Sequence, residues 1–365
     1  MRSSLRIAQV APLYESVPPR LYGGTERVVS WLTEELVRDG HDVTLFASGD
    51  STTRARLIAP CARALRLSGC ADPLPHHISM LERVYRYAHE FDAIHFHTDY
   101  LHYPSSRRLH CAQLTTLHGR LDLVDLAPLY DEFCDVPVAS ISKSQREPLP
   151  NVNWVGNVHH GMPLDLYDLG PGGDYLAFVG RVSPEKRLDR AIEIAGAAGL
   201  PLRIAAKVDR ADHAHFTSVI EPMLSRSSVE FLGEIGDADK RQLLRHARAL
   251  LFPIDWPEPF GLVMIEAMAC GTPVIAFDAG SVREVIDDGV TGYIVDNIPD
   301  AIDAVGRLDR LERTTIREVF ESKFTSARMA HDYLQLYRTL IHIHDARTRS
   351  TESGLSHPGH ELARG

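Results

Sequence analysis

Short apolar runs alternate with amphipathic helical stretches along nearly the whole chain, and that repeat leaves few folds open. A first series reads as strands at Leu5–Val10, Asp42–Ala47, Ala93–His97, Gln113–Leu117, Val136–Ile141 and Trp154–Val158. Between the first two, Glu26–Asp39 carries Val28, Val29, Leu32 and Leu36 at helical spacing. It stops at Gly40, a residue suited to a left-handed C-cap. The stretch Pro163–Asp174, rich in Gly, Pro and Asp, reads as a linker. A second series follows at Tyr175–Val179, Arg203–Ala206, Val229–Leu232, Ala249–Phe252, Val274–Phe277 and Gly292–Val295. The pattern predicts an α/β protein of two Rossmann-like, doubly wound domains facing across a cleft at the carboxyl ends of their strands. The expected domains are 1–162 and 163–324. A helix over Phe324–Ile343 (Met329, Tyr333, Leu336, Tyr337, Leu340), about 325–344, returns to complete the first. The polar residues 346–365 are expected to be disordered.

Charge narrows the range of partners. The net charge of −10 argues against nucleic acid, whose phosphates repel an acidic surface. Arg54, Arg56, Arg63 and Arg66 form a local basic stretch, which reads as a solvated face rather than a membrane patch. Peripheral membrane contact is therefore disfavoured, and no window reaches the length of a transmembrane span. The apolar run near Met1 reads as a first strand rather than a signal peptide. The five cysteines are scattered without a CxxC pair, so a reducing cytoplasm is the expected compartment.

The chemistry concentrates in the segment from Trp256 to Pro273, W-P-E-P-F-G-L-V-M-I-E-A-M-A-C-G-T-P. Pro259 suits a helix start, and Gly271 with Pro273 suits its end. Nearly every side chain between is apolar or small, so this helix should be buried on all sides. Glu266 nevertheless stands in its middle, where an ionised carboxylate is costly without a partner. Glu258 precedes the helix, at its positive end. The backbone N–H groups of Phe260, Gly261, Leu262 and Val263 form a ready anion site suited to a diphosphate. Upstream, Gly180-Arg181-Val-Ser183-Pro184-Glu-Lys186 brings two cations to the same sheet edge. Ser183 and Pro184 read as N-cap and N1 of the next helix. In the first half, Gly23-Gly24-Thr25 opens a helix after the first strand, suited to a phosphate or sugar pressing on the backbone. It is not the GxGxxG fingerprint of a dinucleotide fold. Asp237-Ala-Asp239 reads as a helix cap rather than a metal site. The His-x-His pairs lack a third ligand at readable spacing.

Taken together, the Glu-seven-Glu segment, Gly180–Lys186, Gly23–Gly24, Asp92-Ala-Ile-His95-Phe-His97 and Ser140–Gln145 at a helix start resemble glycosyltransferase family 4, over about residues 5–340. The resemblance implies the GT-B fold and retaining transfer of a hexose from a nucleotide diphosphate sugar, UDP-glucose or GDP-mannose, to a hydroxyl acceptor. No cofactor or metal is implied. Arg181 and Lys186 should hold the diphosphate, Glu266 the ribose hydroxyls and Glu258 the donor sugar. Gly24 should approach the distal phosphate, and His118 of Thr116-Leu117-His118-Gly119 should lie beside the reacting face. Two departures stand out: His160-Gly161 where the family has Asn-Gly at the hinge, and Phe324 where a tryptophan is common. The competing readings are an epimerase-like GT-B enzyme and a nucleotide-sugar-binding protein without transfer.

Overall fold

The computed structural model describes residues 4–21, 23–225 and 228–354. The first sheet contains β1 (Arg6–Val10), β2 (Asp42–Phe46), β3 (Arg56–Ile58), β4 (Ala93–Phe96), β5 (Ala112–Thr116), β6 (Val138–Ser140) and β7 (Trp154–Asn157). Their order is β3-β2-β1-β4-β5-β6-β7, with parallel neighbours throughout. The second contains β8 (Tyr175–Arg181), β9 (Leu202–Lys207), β10 (Val229–Gly233), β11 (Ala247–Phe252), β12 (Val274–Phe277) and β13 (Gly292–Val295). They run β10-β9-β8-β11-β12-β13, again in parallel. The strand order reverses beside β1 in one sheet and beside β8 in the other. Crevices open at such switch points, outside the carboxyl ends of the strands.

Both sheets are covered on two faces, so their inner strands are nearly uniformly buried, as parallel strands must be, while the edge strands β3, β7 and β10 are part-exposed. The expected first helix runs Gly24–Arg38 and ends with Gly40 at φ 83°. The returning helix, Ser326–Gly354, packs on the Gly24–Arg38 helix and on β4 and β5. The chain crosses between halves at Met162, whose N–H donates to the Phe324 carbonyl (2.9 Å) and whose carbonyl accepts from Ser326 N–H (2.9 Å).

Several local expectations are corrected. Residues 346–354 continue the last helix rather than being disordered; 355–365 lie outside the described residues. Ser183 and Pro184 open a single 3-10 turn, Pro184–Lys186. Arg187 then turns left-handed (φ 52°) before the helix Leu188–Ala198 begins. Ser140–Gln145 yields only a 3-10 turn at Ser144–Arg146. The Glu-bearing helix starts at Leu262 rather than at Pro259, because Gly261 adopts φ 76° and forms its N-cap. Beyond β9 the expected helix is broken into short 3-10, α and π pieces between Arg210 and Met223. β3 comes from the basic stretch, which was not read as a strand. There Arg54 pairs with Glu34 (2.6 Å), Arg56 with Glu90 (2.8 Å) and Arg66 with Glu15, so three of its cations are already partnered.

At the two departures from the family pattern the packing is intact, while His160 Nδ1 is buried without a hydrogen-bond partner in the protein. Arg328 donates to the carbonyls of His159 and His160 (2.7 and 3.0 Å). Phe324 is buried edge-on to Phe260. Among the described residues, no helix is long and apolar enough to cross a membrane.

Candidate active site between the two sheets

A cleft of about 660 Å³ lies where the carboxyl edges of the two sheets meet. Every residue expected at the site lines it: Gly23, Gly24 and His118 from the first half, and Arg181, Lys186, Glu258, Phe260, Gly261, Leu262, Val263 and Glu266 from the second. Gly24 faces Leu262 across the gap; a Cβ there would sit 3.6 Å from the Leu262 methyl. Chain backbone from both halves can therefore touch one ligand.

The second-half wall is charged, but its charges come in pairs. Lys186 Nζ donates to Glu258 Oε2, and the ammonium lies 4.9 Å from the centre of the Trp256 ring. Glu266, 4% exposed, accepts from Lys240 Nζ at 2.6 Å. That pairing satisfies the buried carboxylate in the way burial demands. Lys240 was missed from sequence. It lies 26 residues upstream, on the helix Asp237–Arg245, and no local pattern ties it to Glu266. Arg181, at the end of β8, bonds Glu185 (2.7 Å) and lies 3.4 Å from Asp212. The segment Glu258–Gly261 is clamped from behind. Ser281 N–H donates to the Glu258 carbonyl (3.0 Å) and Ser281 Oγ to the Phe260 carbonyl (2.9 Å). The N-terminus of the Leu262–Ala269 helix opens on the cleft, so its dipole favours an anion there. The Asp237 reading is corrected too: Gly236 is the N-cap, while Asp237 pairs with Arg27 across the cleft.

The first-half wall also carries charge, with Arg66 paired to Glu15, Arg27 paired to Asp237, and Glu26, but around His118 its polar groups are uncharged. His118 follows β5 and sits at the end of a buried chain of hydrogen bonds. His97 Nε2 donates to Gln9 Oε1 (2.8 Å), since an amide oxygen can only accept. Burial holds the His97 imidazole well below its ordinary pKa, so the ring is neutral and its Nδ1 is an acceptor. His118 Nε2 donates to that Nδ1 at 2.8 Å. Burial also pushes His118 down to about 3, so its Nδ1 carries a lone pair. That Nδ1 is buried and has no partner in the protein. Behind Gln9 the chain continues. Gln9 Nε2 donates to Tyr337 Oη (3.0 Å), which donates to His95 Nδ1 (2.7 Å), and His95 Nε2 donates to Thr116 Oγ1 (2.7 Å). Thr116 Oγ1 in turn lies 2.9 Å from Tyr333 Oη. The returning helix thus anchors the far end of the relay through Tyr333 and Tyr337. Sequence reading found His118 but not this relay, because its members lie on four separate segments. His160, the residue at the hinge, stacks on His118 with centroids 5.2 Å apart.

Comparison with known proteins places the chain in a family. Residues 22–147 match the model for Glycosyltransferase Family 4, and residues 168–321 that for Glycosyl transferases group 1. D-inositol 3-phosphate glycosyltransferase of Nocardia farcinica is 32% identical over 199 residues, covering 49% of this chain and 44% of that protein. The chain spans less than half the length of the curated relatives it matches at 29–34% identity. Among solved structures, AviGT4, a glycosyltransferase involved in avilamycin A biosynthesis, is 26% identical. It has a TM-score of 0.72 and covers 92% of this chain and 98% of its own. The Anabaena protein HepE in complex with UDP and glucose has the same TM-score at 17% identity, covers 92% of this chain and 100% of its own, and supports the fold. A charged wall with a helix N-terminus, a neutral histidine file opposite and two family models along one chain have one reading: the chain is a GT-B-fold member of the group 1, family 4 glycosyltransferases.

Proposed function

We propose that the enzyme transfers a hexose from a nucleotide diphosphate sugar, UDP-glucose or GDP-mannose, to a hydroxyl acceptor with retention of anomeric configuration. The observation that carries this reading is Lys186 held against Glu258 at the mouth of the Leu262–Ala269 helix. A diphosphate bound there would meet Lys186, Arg181 and the free backbone N–H groups of the first turn. Glu258 and Glu266 would then accept hydrogen bonds from sugar and ribose hydroxyls. In the reaction the bond from the sugar C1 to the diphosphate oxygen breaks, and its electron pair leaves with the phosphate. The acceptor oxygen bonds C1 on the same face, and the hydroxyl proton passes to the departing phosphate. Stabilising charge on that phosphate is the enzyme's main work. His118 offers its Nδ1 lone pair to a hydroxyl; with a pKa of about 3 it is not a proton store near neutrality. No metal is called on in this scheme. The working compartment is the cytoplasm, where nucleotide sugars are made available.

Support for a nucleotide sugar comes from the HepE complexes with UDP and UDP-glucose, whose fold this chain shares. The experiment is incubation of the protein with UDP-, GDP- and ADP-hexoses while following nucleotide release. One donor should be consumed preferentially. Failure to release nucleotide from any of them, with or without a panel of glycoside acceptors, removes the proposal.

A further inference from the structure

Arg27 lies in the first turn of the helix that follows the glycine pair, and the donor scheme above makes no use of it. An arginine cannot give up its charge, so one at a helix surface normally stays in water. This one is 7% exposed. Burial of such a cation demands partners, and its partners come from both halves of the molecule. Within the first half, Arg27 Nη2 donates to the Leu21 carbonyl (3.0 Å) and its backbone N–H to the Gly23 carbonyl (3.2 Å). Both bonds hold the backbone that leads into Gly23–Gly24. Across the cleft, Arg27 Nη1 donates to Asp237 Oδ2.

Asp237 carries the connection onward. Its other oxygen, Oδ1, lies 3.7 Å from Lys240 Nζ, and Lys240 donates to Glu266 Oε1 at 2.6 Å. Charge thus alternates along a file, Arg27, Asp237, Lys240, Glu266, from the glycine loop of one half to the buried carboxylate of the other. All four residues line the cleft. A different cross-half link shows the contrast. Glu284 accepts from the N–H groups of Lys143 and Ser144 (2.8 and 2.9 Å) and from His159 Nε2 (2.9 Å), yet none of these residues lines the cleft. That link can join the halves without bearing on a ligand. The Arg27–Asp237 pair instead ties down the loop that sets Gly24 opposite Leu262, at the N-terminus of the Leu262–Ala269 helix.

We infer that Arg27 is a positioning residue for the transfer: through Asp237 it fixes the Gly23–Gly24 backbone against the helix N-terminus, so that the donor is gripped from both halves. Arg27 itself need not touch the donor. The inference rests on the donor reading above, since the glycine pair has work to do only when a nucleotide diphosphate sugar is bound. Most of the nucleotide's contacts lie on the second half. Loosening the glycine loop therefore costs turnover much more than nucleotide affinity, because geometry at the reacting bond is what the loop secures.

The test uses the full-length protein, with kcat from nucleotide release and affinity from calorimetry with UDP and GDP. The Asp237 side chain is 47% exposed, so its replacement leaves no cavity in the core. Asp237→Ala should lower kcat by about tenfold or more and change affinity for the preferred nucleotide by less than about threefold. Asp237→Glu, which keeps the carboxylate, should recover most of the turnover. Arg27→Met should match Asp237→Ala, and the double variant should be no worse than either alone, as two ends of one link require. Additive losses, an unchanged kcat in Asp237→Ala, or a fall in affinity as large as the fall in kcat each overturn the inference. Should Arg27→Met fail to fold, the two Asp237 variants decide the matter by themselves. A wild type that neither binds nor releases a nucleotide sinks the donor reading and this inference with it. A wild type that does both, beside an Asp237→Ala of equal turnover, sinks this inference alone.

Discussion

The two halves share one architecture but keep their site-facing interiors polar in opposite ways. The second half uses charges in matched pairs, Lys186 with Glu258 and Lys240 with Glu266. The first has ion pairs of its own at the cleft, Arg66 with Glu15 and Arg27 with Asp237, but around His118 it uses neutral groups, a file of histidines, Gln9, Thr116 and two tyrosines whose hydrogen bonds run in one direction. The difference matches what each wall would meet. A leaving diphosphate carries charge and needs cations and a helix dipole, whereas a sugar hydroxyl needs a donor or acceptor without net charge. A shared strand order therefore says little about chemistry; the side chains at the strand ends decide it.

The largest expected effect breaks the neutral half. His95, His97, His102, His118 and His160 are all held below their ordinary pKa, chiefly by burial. An unfolded chain takes up those protons near pH 6.5, while the folded one stays unprotonated until far lower. Stability should thus fall as pH drops below about 6.5, by on the order of 1 kcal/mol per pH unit for each histidine. Hydrogen exchange between pH 7 and 5 should show the first half opening before the second. Equal opening of both would erase the contrast.

Breaking the charged half is the next largest effect. Lys240→Ala strands Glu266 in the core and should cost about 3–5 kcal/mol in chemical denaturation. Pairing it with Glu266→Gln should recover most of that loss. Lys186→Ala should lower turnover by about a hundredfold or more, the scale of losing a stabiliser of transition-state charge. Its reading comes from steady-state nucleotide release.

Much of this was legible beforehand, and the residues show why. Strand positions followed from apolar runs, because parallel strands covered on both faces carry little else. The site residues on Trp256–Pro273 and Gly180–Lys186 were readable because each motif is local and each breaks a rule, such as a carboxylate in an apolar helix. Lys240, Gln9 and Tyr337 were not, since their partners lie far off in sequence and only the fold brings them together. Helix starts were also misplaced. Gly261 and Arg187 turn left-handed where Pro259 and Pro184 suggested continuous helices.

A smaller effect sharpens the boundary between the halves. Glu26 lines the cleft from the first half, and burial raises its carboxyl from 4.5 to about 7. Between those values the folded chain binds the proton more tightly than the unfolded one, so this group's contribution is lost as pH rises toward 7. Glu26→Gln should therefore raise stability at pH 8 by on the order of 2 kcal/mol and leave pH 4 nearly unchanged. Thermal melts at the two pH values read the difference.

The central claim is that the donor's diphosphate lies mainly on Lys186 and the second half, while His118 meets sugar rather than the nucleotide. Calorimetric titration of UDP and GDP into wild type, Lys186→Ala and His118→Ala tests it most directly. The account predicts that the preferred nucleotide binds wild type and His118→Ala with similar affinity and loses about tenfold or more with Lys186→Ala. Equal affinity for all three proteins, or a loss confined to His118→Ala, would contradict it.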